Sequence, residues 1–565
     1  MTGSNSPDPP GRGRRWLLAR LRSVAADTRA AVPIDDDDRL WLALGLLPGV
    51  VAVAIYLATN PYPAYGAGLY AKIAAEIVAN GYSLPAWIPG YTADGVPFAY
   101  PPLQFYLYAL LVDLGGDPVT VSRFLPSLGM LFALVPIYLL GRDAADSRPA
   151  GTAAAALVAL NPQILEWHLS AGGVVRAFAF LYATTSIYAG YRVFVHDGVG
   201  GRRAVALGAI AFGLTVLTHP VYSLFVVVSY VLFWLVRDRS LSGFASGLAV
   251  GLGGALLASP WLVWVLTTHG IGVFAAASGT HGGVGGGANA LAGAISPGVA
   301  VALVPAVYLL LRREYLLPVW LVVAELLFRQ PRFAYAVSAV LVPVAVVVLV
   351  RARESESEAI PERAGDGSER KQERERSESE PRRRRVGPDI DRRAAAAAAV
   401  LLLGTLVGGA YFAYETTLVT DPSTPEFLDE DDDEAMAWIA AETDPGARFV
   451  VVGDAAEWLP ALTDRTLLVG YWGVEWVGAD AFDRQMTAYE TVSTCQRAEC
   501  VESVAADVGE RPTHVYVPKG QYTIRGENAA QFGTIERSFE RSDRWERAYE
   551  NDGVVIYRAT DTDGS

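Results

Sequence analysis

Residues Tyr100–Arg142 read YPPLQFYLYALLVDLGGDPVTVSRFLPSLGMLFALVPIYLLGR, two apolar runs separated by Gly115-Gly116-Asp117-Pro118. The second run, 120–141, is long enough to cross ~30 Å of hydrocarbon as a helix rising 1.5 Å per residue. The first, 102–114, opens on Pro101-Pro102 and falls short of the roughly 20 residues that a crossing needs. The choice between span and non-span for this short run fixes the direction of everything after it.

Apolar blocks of span length or near it recur at 40–59, 120–141, 150–166, 174–195, 203–218, 221–236, 243–267, 289–311, 315–328, 333–350 and 394–414. These predict about 11 transmembrane helices. With the N-terminus inside, the inner loops carry Arg142 and Arg148, Arg202 and Arg203, Arg237 and Arg239, Arg312 and Arg313, and Arg351 and Arg353. Such a bias is what positively charged cytoplasmic loops require. Counting 102–114 as a span would invert all of them. The short run is therefore expected to lie at the outer interface or to re-enter from that side. The fold class is a polytopic α-helical membrane protein with a C-terminal extracytoplasmic α/β domain. It is expected in the plasma membrane, with the N-terminus cytoplasmic.

Charge supports two sides. The 565 residues carry a net charge of −14, but residues 415–565 hold 31 acidic against 12 basic side chains, a net of −19. The remainder is close to +5, and an acidic tail on a basic body suits opposite faces of a bilayer. An acidic chain without clustered cations is a poor match for nucleic acid. Only Lys72, Lys371 and Lys519 are lysines among 46 basic residues. This composition resembles that of halophilic archaeal proteomes.

The domain reading follows. Residues 1–39 form a basic cytoplasmic N-terminus, with no cleavage pattern after the first apolar run, which is read as a retained span. The transmembrane body covers 40–350, with a first outer loop at 60–119. Residues 351–393 are a mixed-charge linker with almost no apolar side chains, expected to be disordered. The last span, 394–414, delivers the acidic domain 415–565. There, RFVVVGD, TLLVG, THVYVPK and VVIYRA read as strands and DDDEAMAWIAAE as a helix with acids in its first turn. AYENDGVVIYR carries a hairpin turn at Asn551-Asp552-Gly553. Cys495 and Cys500 are spaced for a small disulfide loop if the domain is extracytoplasmic, and otherwise are two free thiols.

Polar residues converge on the outer face of this topology. It collects Glu166, His168 and Arg176, then His219, His269 and His281, then Arg329 and Arg332. Charged groups near hydrocarbon are usually compensated by a partner or a function. Arg176, Arg329 and Arg332 there suit an anion such as phosphate, with His168 and His219 as further donors. Singly, each has a plainer reading: Arg329 can pair with Glu325 one turn earlier, and a histidine at a helix end is commonly interfacial. The stretch GTHGGVGGGANA lacks a strand–glycine–helix setting and reads as a loop. YWGVEW reads as core and turn aromatics. No paired-carboxylate metal motif appears, so no metal and no cofactor is proposed.

The segment from Gly68 to Arg142 resembles the GT-C superfamily of integral membrane glycosyltransferases, and the likeness runs from the first span to about residue 350. The features that carry it are Tyr100-Pro101-Pro102-Leu103, a short interfacial helix, Gly115-Gly116, a span beginning at Arg123 and ending in Gly141-Arg142, and RQPRFAY before a late span. The resemblance implies transfer of a sugar from a polyprenyl-phosphate carrier to a glycan, lipid or protein acceptor on the extracytoplasmic side. It also implies a first-loop carboxylate acting as base, with Tyr100 lining the substrate site. The sequence departs from the superfamily just after the first span, where NPYPAYGAGLY holds no carboxylate. The remaining candidates are Asp94, whose other reading is a turn residue in Ala-Asp-Gly, and Glu76, whose other reading is a solvated helix face. The missing acid keeps open a non-catalytic relative that binds a lipid-linked glycan. A transporter is disfavoured by the absence of a repeat and of midplane charges.

Overall fold

The computed structural model of the chain describes residues 34–195, 201–280, 297–328, 330–358, 425–509, 511–531 and 533–560. The first described helix, α1 (Asp36–Thr59), begins on a reciprocal cap between Asp35 and Asp38. Three elements of the first loop follow: α2 (Gly68–Ala79), a two-stranded ribbon of β1 (Trp87–Ile88) and β2 (Val96–Pro97), and α3 (Leu103–Asp113). The bundle then runs through α4 (Pro118–Ala145), α5 (Arg148–Ala159), α6 (Pro162–Leu169), α7 (Gly173–Phe194), α8 (Gly201–Val216), α9 (Pro220–Arg237) and α10 (Leu241–Thr268). It continues with α11 (Gly272–Thr280), α12 (Pro297–Leu311), α13 (Leu316–Phe328) and α14 (Pro331–Glu358).

Among the described helices, α1, α4, α9, α10 and α14 are each long and apolar enough to cross a membrane. The pair α6–α7 passes the same test as one broken span, bent by 119°. The stretch expected as one span at 150–166 is thus two helices. Asn161 ends the first and caps the second, its Oδ1 accepting from Ile164 N at 3.1 Å, and Pro162 takes the first helical position. The run 102–114 forms only the 11-residue α3. The expected linker begins inside α14, which continues to Glu358. The rest of that linker, the basic N-terminus to residue 33 and the expected span 394–414 lie outside the described residues.

The C-terminal domain is a five-stranded sheet in the order β4-β3-β5-β9-β8. Its strands are β3 (Arg448–Val451), β4 (Thr466–Leu467), β5 (His514–Pro518), β8 (Trp545–Glu550) and β9 (Val554–Ala559). β3 runs parallel to β4 and β5, whereas β9 runs antiparallel to both of its neighbours. The hairpin β6 (Gly520–Ile524) and β7 (Glu527–Gln531) stands apart. Helix α15 (Glu430–Glu442) starts on a second reciprocal acidic cap, Asp429 with Asp432. The turn before β9 is held by Asn551 Oδ1, which accepts from Val554 N at 2.8 Å. Cys495 and Cys500 are disulfide-bonded.

The first loop belongs to this domain's core. Leu69, Ile73, Tyr91, Phe98 and Phe105 share one buried cluster with Phe427, Val450, Trp458 and Leu467. Leu467 N donates to Gly90 O at 2.8 Å, and Tyr65 N donates to Pro425 O at 2.8 Å. The prolines and aromatics of the loop thus set a floor on which the sheet domain sits. A second cluster, centred on α4, α5, α7, α9 and α14, is the bundle's own core.

Candidate functional site

Where bundle and domain meet, the α6–α7 bend turns on Ser170-Ala171-Gly172. A Cβ on Gly173 would fall 2.3 Å from the His168 carbonyl oxygen, so only glycine permits so tight a turn. The bend brings Trp167 and His168 from one helix and Arg176 from the other to one corner. His168 is fully buried, with Nδ1 2.5 Å from Ile164 O and Nε2 2.7 Å from the Tyr222 hydroxyl. His219, at the start of α9, sets its ring 5.1 Å from that of Tyr222. The start of α14 adds Arg332.

Arg176 and Arg332 share one indole. Their guanidinium carbons lie 4.9 and 5.2 Å from the Trp167 ring centroid. Arg332 also approaches the Tyr222 ring at 5.6 Å and is only 7% exposed. It donates to Gln330 Oε1 at 2.5 Å, while its Nε is buried without a partner. Arg176 is half-buried, and its side chain makes no hydrogen bond or ion pair among the described residues. Cation–π contacts are worth about 0.5–2 kcal/mol, less than the several kcal/mol that desolvating an ion costs. At the opposite end of the bundle three arginines are matched: Arg142 pairs with Asp38 and Asp143, Arg148 with Asp35 and Asp38, and Arg237 with Glu314. Two guanidiniums held on one ring, neither ion-paired to a carboxylate among the described residues, suit a planar or tetrahedral oxyanion.

Two carboxylates belong to the same corner. Tyr65 stacks on Trp167 at 6.4 Å and donates its hydroxyl to Glu166 Oε1 at 2.9 Å. Gln163 Nε2 donates to Glu166 Oε2 at 3.2 Å. Glu457 enters from the C-terminal domain. Burial, then the nearby Asp454 charge, push its carboxyl up to about 8, with the Arg176 charge opposing. A Cβ on Gly66 would lie 1.7 Å from Glu457 Oε2, and the Tyr91 hydroxyl donates to Glu457 O at 2.5 Å. Among the described residues no group of three or more His, Cys, Asp or Glu side chains is placed to hold a metal ion.

No protein-family model matches the chain, and no curated protein matches it by sequence. Solved structures do match in three dimensions. The archaeal oligosaccharyltransferase AglB from Archaeoglobus fulgidus, in complex with an inhibitory peptide and a dolichol-phosphate, superposes with a TM-score of 0.54 at 15% identity. The match covers 88% of this chain and 74% of AglB. ArnT from Cupriavidus metallidurans, bound to undecaprenyl phosphate, gives 0.53 at 13% identity over 92% and 98% of the two chains. The mycobacterial arabinofuranosyltransferase AftD gives 0.53 at 16% identity over 93% of this chain and 42% of AftD. All three are GT-C glycosyltransferases.

This chain has the GT-C fold.

Within that GT-C frame the sequence-selected residues part company. His168, Arg176, His219 and Arg332 gather at the α6–α7 corner. Arg329 and His281 lie outside the described residues. Tyr100 sits on the C-terminal domain instead, its hydroxyl bonded to Glu475 and its ring 4.8 Å from that of Trp476. Asp94 occupies the exposed turn between β1 and β2 and makes no side-chain hydrogen bond or ion pair among the described residues. Beside it, Gly95 adopts φ +74° and its amide donates to Thr92 O at 3.4 Å, the geometry of a turn. Glu76 pairs with the buried Lys72 at 3.0 Å, and Lys72 reaches Asp464 at 2.5 Å, an ionic link between loop and domain. Trp167, Tyr65, Tyr222 and Glu457 were not selected from the sequence. Trp167 lies inside EWHLSAGGVVR and is detectable as an aromatic between charges. Glu457 has no local signal.

Proposed function

We propose that the chain is a glycosyltransferase that moves a sugar from a polyprenyl-phosphate carrier to an acceptor hydroxyl or amide at the extracytoplasmic face. The observation that supports it is the Arg176–Arg332 pair on Trp167, placed at the membrane end of a GT-C bundle. In this reading the guanidiniums bind the carrier phosphate and take up the charge that grows as it leaves. Glu166, oriented by Tyr65 and Gln163, accepts the acceptor's proton. The bond from anomeric carbon to phosphate oxygen breaks, the new glycosidic bond forms, and the lipid phosphate departs with its electron pair. We prefer Glu166 to Asp94 as base because it belongs to the cation corner, whereas Asp94 is an exposed turn residue. The Cys495–Cys500 disulfide accords with an oxidising, extracytoplasmic location, and the lysine-poor composition with a halophilic archaeal envelope.

The test is mass spectrometry of glycans and carrier lipids from a deletion strain complemented with wild type or with Arg176→Gln/Arg332→Gln. A sugar restored by wild type and lost in the variant, with carrier-linked donor accumulating, is the expected result. Full restoration by the variant rejects the assignment. Unchanged glycans in the deletion strain favour the non-catalytic reading.

A further inference from the structure

The far end of the bundle carries a second feature. A cavity of about 260 Å³ opens between α7, α8, α9 and α10, lined by Phe194, Phe212, Tyr230, Trp234, Phe244 and Leu248. Gly243, Gly247 and Gly251 form its α10 wall, and a Cβ on Gly251 would meet nothing within 4 Å. Its α10 lining runs over the nine residues from Gly243 to Gly251, a length of roughly 12 Å. An apolar groove of this length suits an extended hydrocarbon chain. Val227, Val231, Phe244 and Leu248 at its mouth are between 43% and 50% exposed, and all four lie on spanning helices. The medium at that mouth is therefore lipid.

The rim is basic. Arg239, in the α9–α10 loop, donates Nε to Leu235 O at 2.6 Å and is otherwise exposed. α8 and α10 run side by side with Gly208 against Val250 and Gly213 against Leu257, which sets Arg202 level with Phe244. Arg202 is exposed, and neither it nor Arg239 has an ion pair among the described residues. Arg237 is already matched by Glu314 at 2.9 Å. Asp238 is the acid at the rim, its carboxylate facing Gly243 and accepting from Ser240 N at 3.0 Å. Trp234 Nε1 donates to Ser240 O at 3.1 Å, the posture of an indole at a membrane–water boundary.

We propose that this groove is a binding site for an anionic phospholipid, one acyl chain between α9 and α10 and the phosphate against Arg239 and Arg202. The proposal needs the membrane setting of the bundle but is independent of the transferase reading. Delipidated full-length protein would be titrated with dioleoyl phosphatidylglycerol or dioleoyl phosphatidylcholine and bound lipid counted by native mass spectrometry. Wild type should bind one phosphatidylglycerol about 30-fold more tightly than phosphatidylcholine, the worth of two arginines near an anionic headgroup. Gly251→Phe, which fills open space, should lose that event. Arg239→Gln should retain lipid and lose about fivefold of the preference, and Arg202→Gln/Arg239→Gln should lose it altogether. Equal binding in wild type and Gly251→Phe, or no preference in wild type, overturns the proposal.

Discussion

Removing one guanidinium from the Trp167 corner leaves the indole and the other arginine in place, so the variant should fold and insert. Arg332→Gln is expected to lower transfer by about 10²-fold, the usual effect of losing one preorganised donor to a developing oxyanion. Initial-rate assays on purified protein with a polyprenyl-phosphate sugar would read this, and a loss under threefold would exclude Arg332 from phosphate contact. The base is separable from it. Glu166→Gln keeps the size of the side chain and an oxygen to accept from Tyr65, but cannot take a proton at neutral pH. It should reduce turnover at least as much while donor binding persists, whereas Asp94→Asn should stay near wild type. The reverse ranking would return the base to the β1–β2 turn.

The elements explain which of these residues the sequence disclosed. Arg176, Arg332, His168 and His219 were legible because each is a polar residue at the end of an apolar run, and helix ends follow from hydrophobic length alone. The partner strands of the sheet were legible from β-branched runs, and the last hairpin from Asn551-Asp552-Gly553. Trp167's place was hidden because it depends on the 119° bend, whose hinge is the close approach of Gly173 to the His168 carbonyl, a backbone geometry that hydrophobic length does not disclose. Asp94 stood out in the sequence among prolines and aromatics, but those side chains pack on the sheet domain and leave the carboxylate at the tip. The loop–domain seam can be tested at Gly68, where a Cβ would lie 2.0 Å from the Glu457 carbonyl oxygen. Gly68→Ala should cost about 1–3 kcal/mol through overpacking. Limited proteolysis should then release the C-terminal domain faster, and wild-type cleavage kinetics would show that the seam yields without strain.

At the scale of the molecule, bundle and domain are joined through a floor that buries acids. Glu457 is pushed up to about 8, first by burial and then by Asp454, and Glu426 to about 7 by burial and then by Asp429. A carboxyl whose folded pKa lies above its unfolded value binds its proton more tightly in the folded state. Its stabilising contribution is full below the ordinary carboxylate range, near 4.5, and is lost as pH rises through 7 to 8. The docked arrangement should therefore loosen between pH 5 and pH 8.5, by an amount on the order of a few kcal/mol. Glu457→Gln replaces a group that must ionise with one that cannot, so it should flatten the slope and raise stability at pH 8.5 while changing little at pH 5. Thermal unfolding followed by tryptophan fluorescence is suited to this, because Trp458 is fully buried next to the substituted position. Parallel pH profiles for wild type and variant would mean that Glu457 stays ionised in the seam, with Arg176 holding its charge. That outcome would move Glu457 from the seam into the anion site, in competition with the carrier phosphate for the same guanidinium. Transfer would then rise in Glu457→Gln, where the docking account expects it to remain unchanged near pH 7.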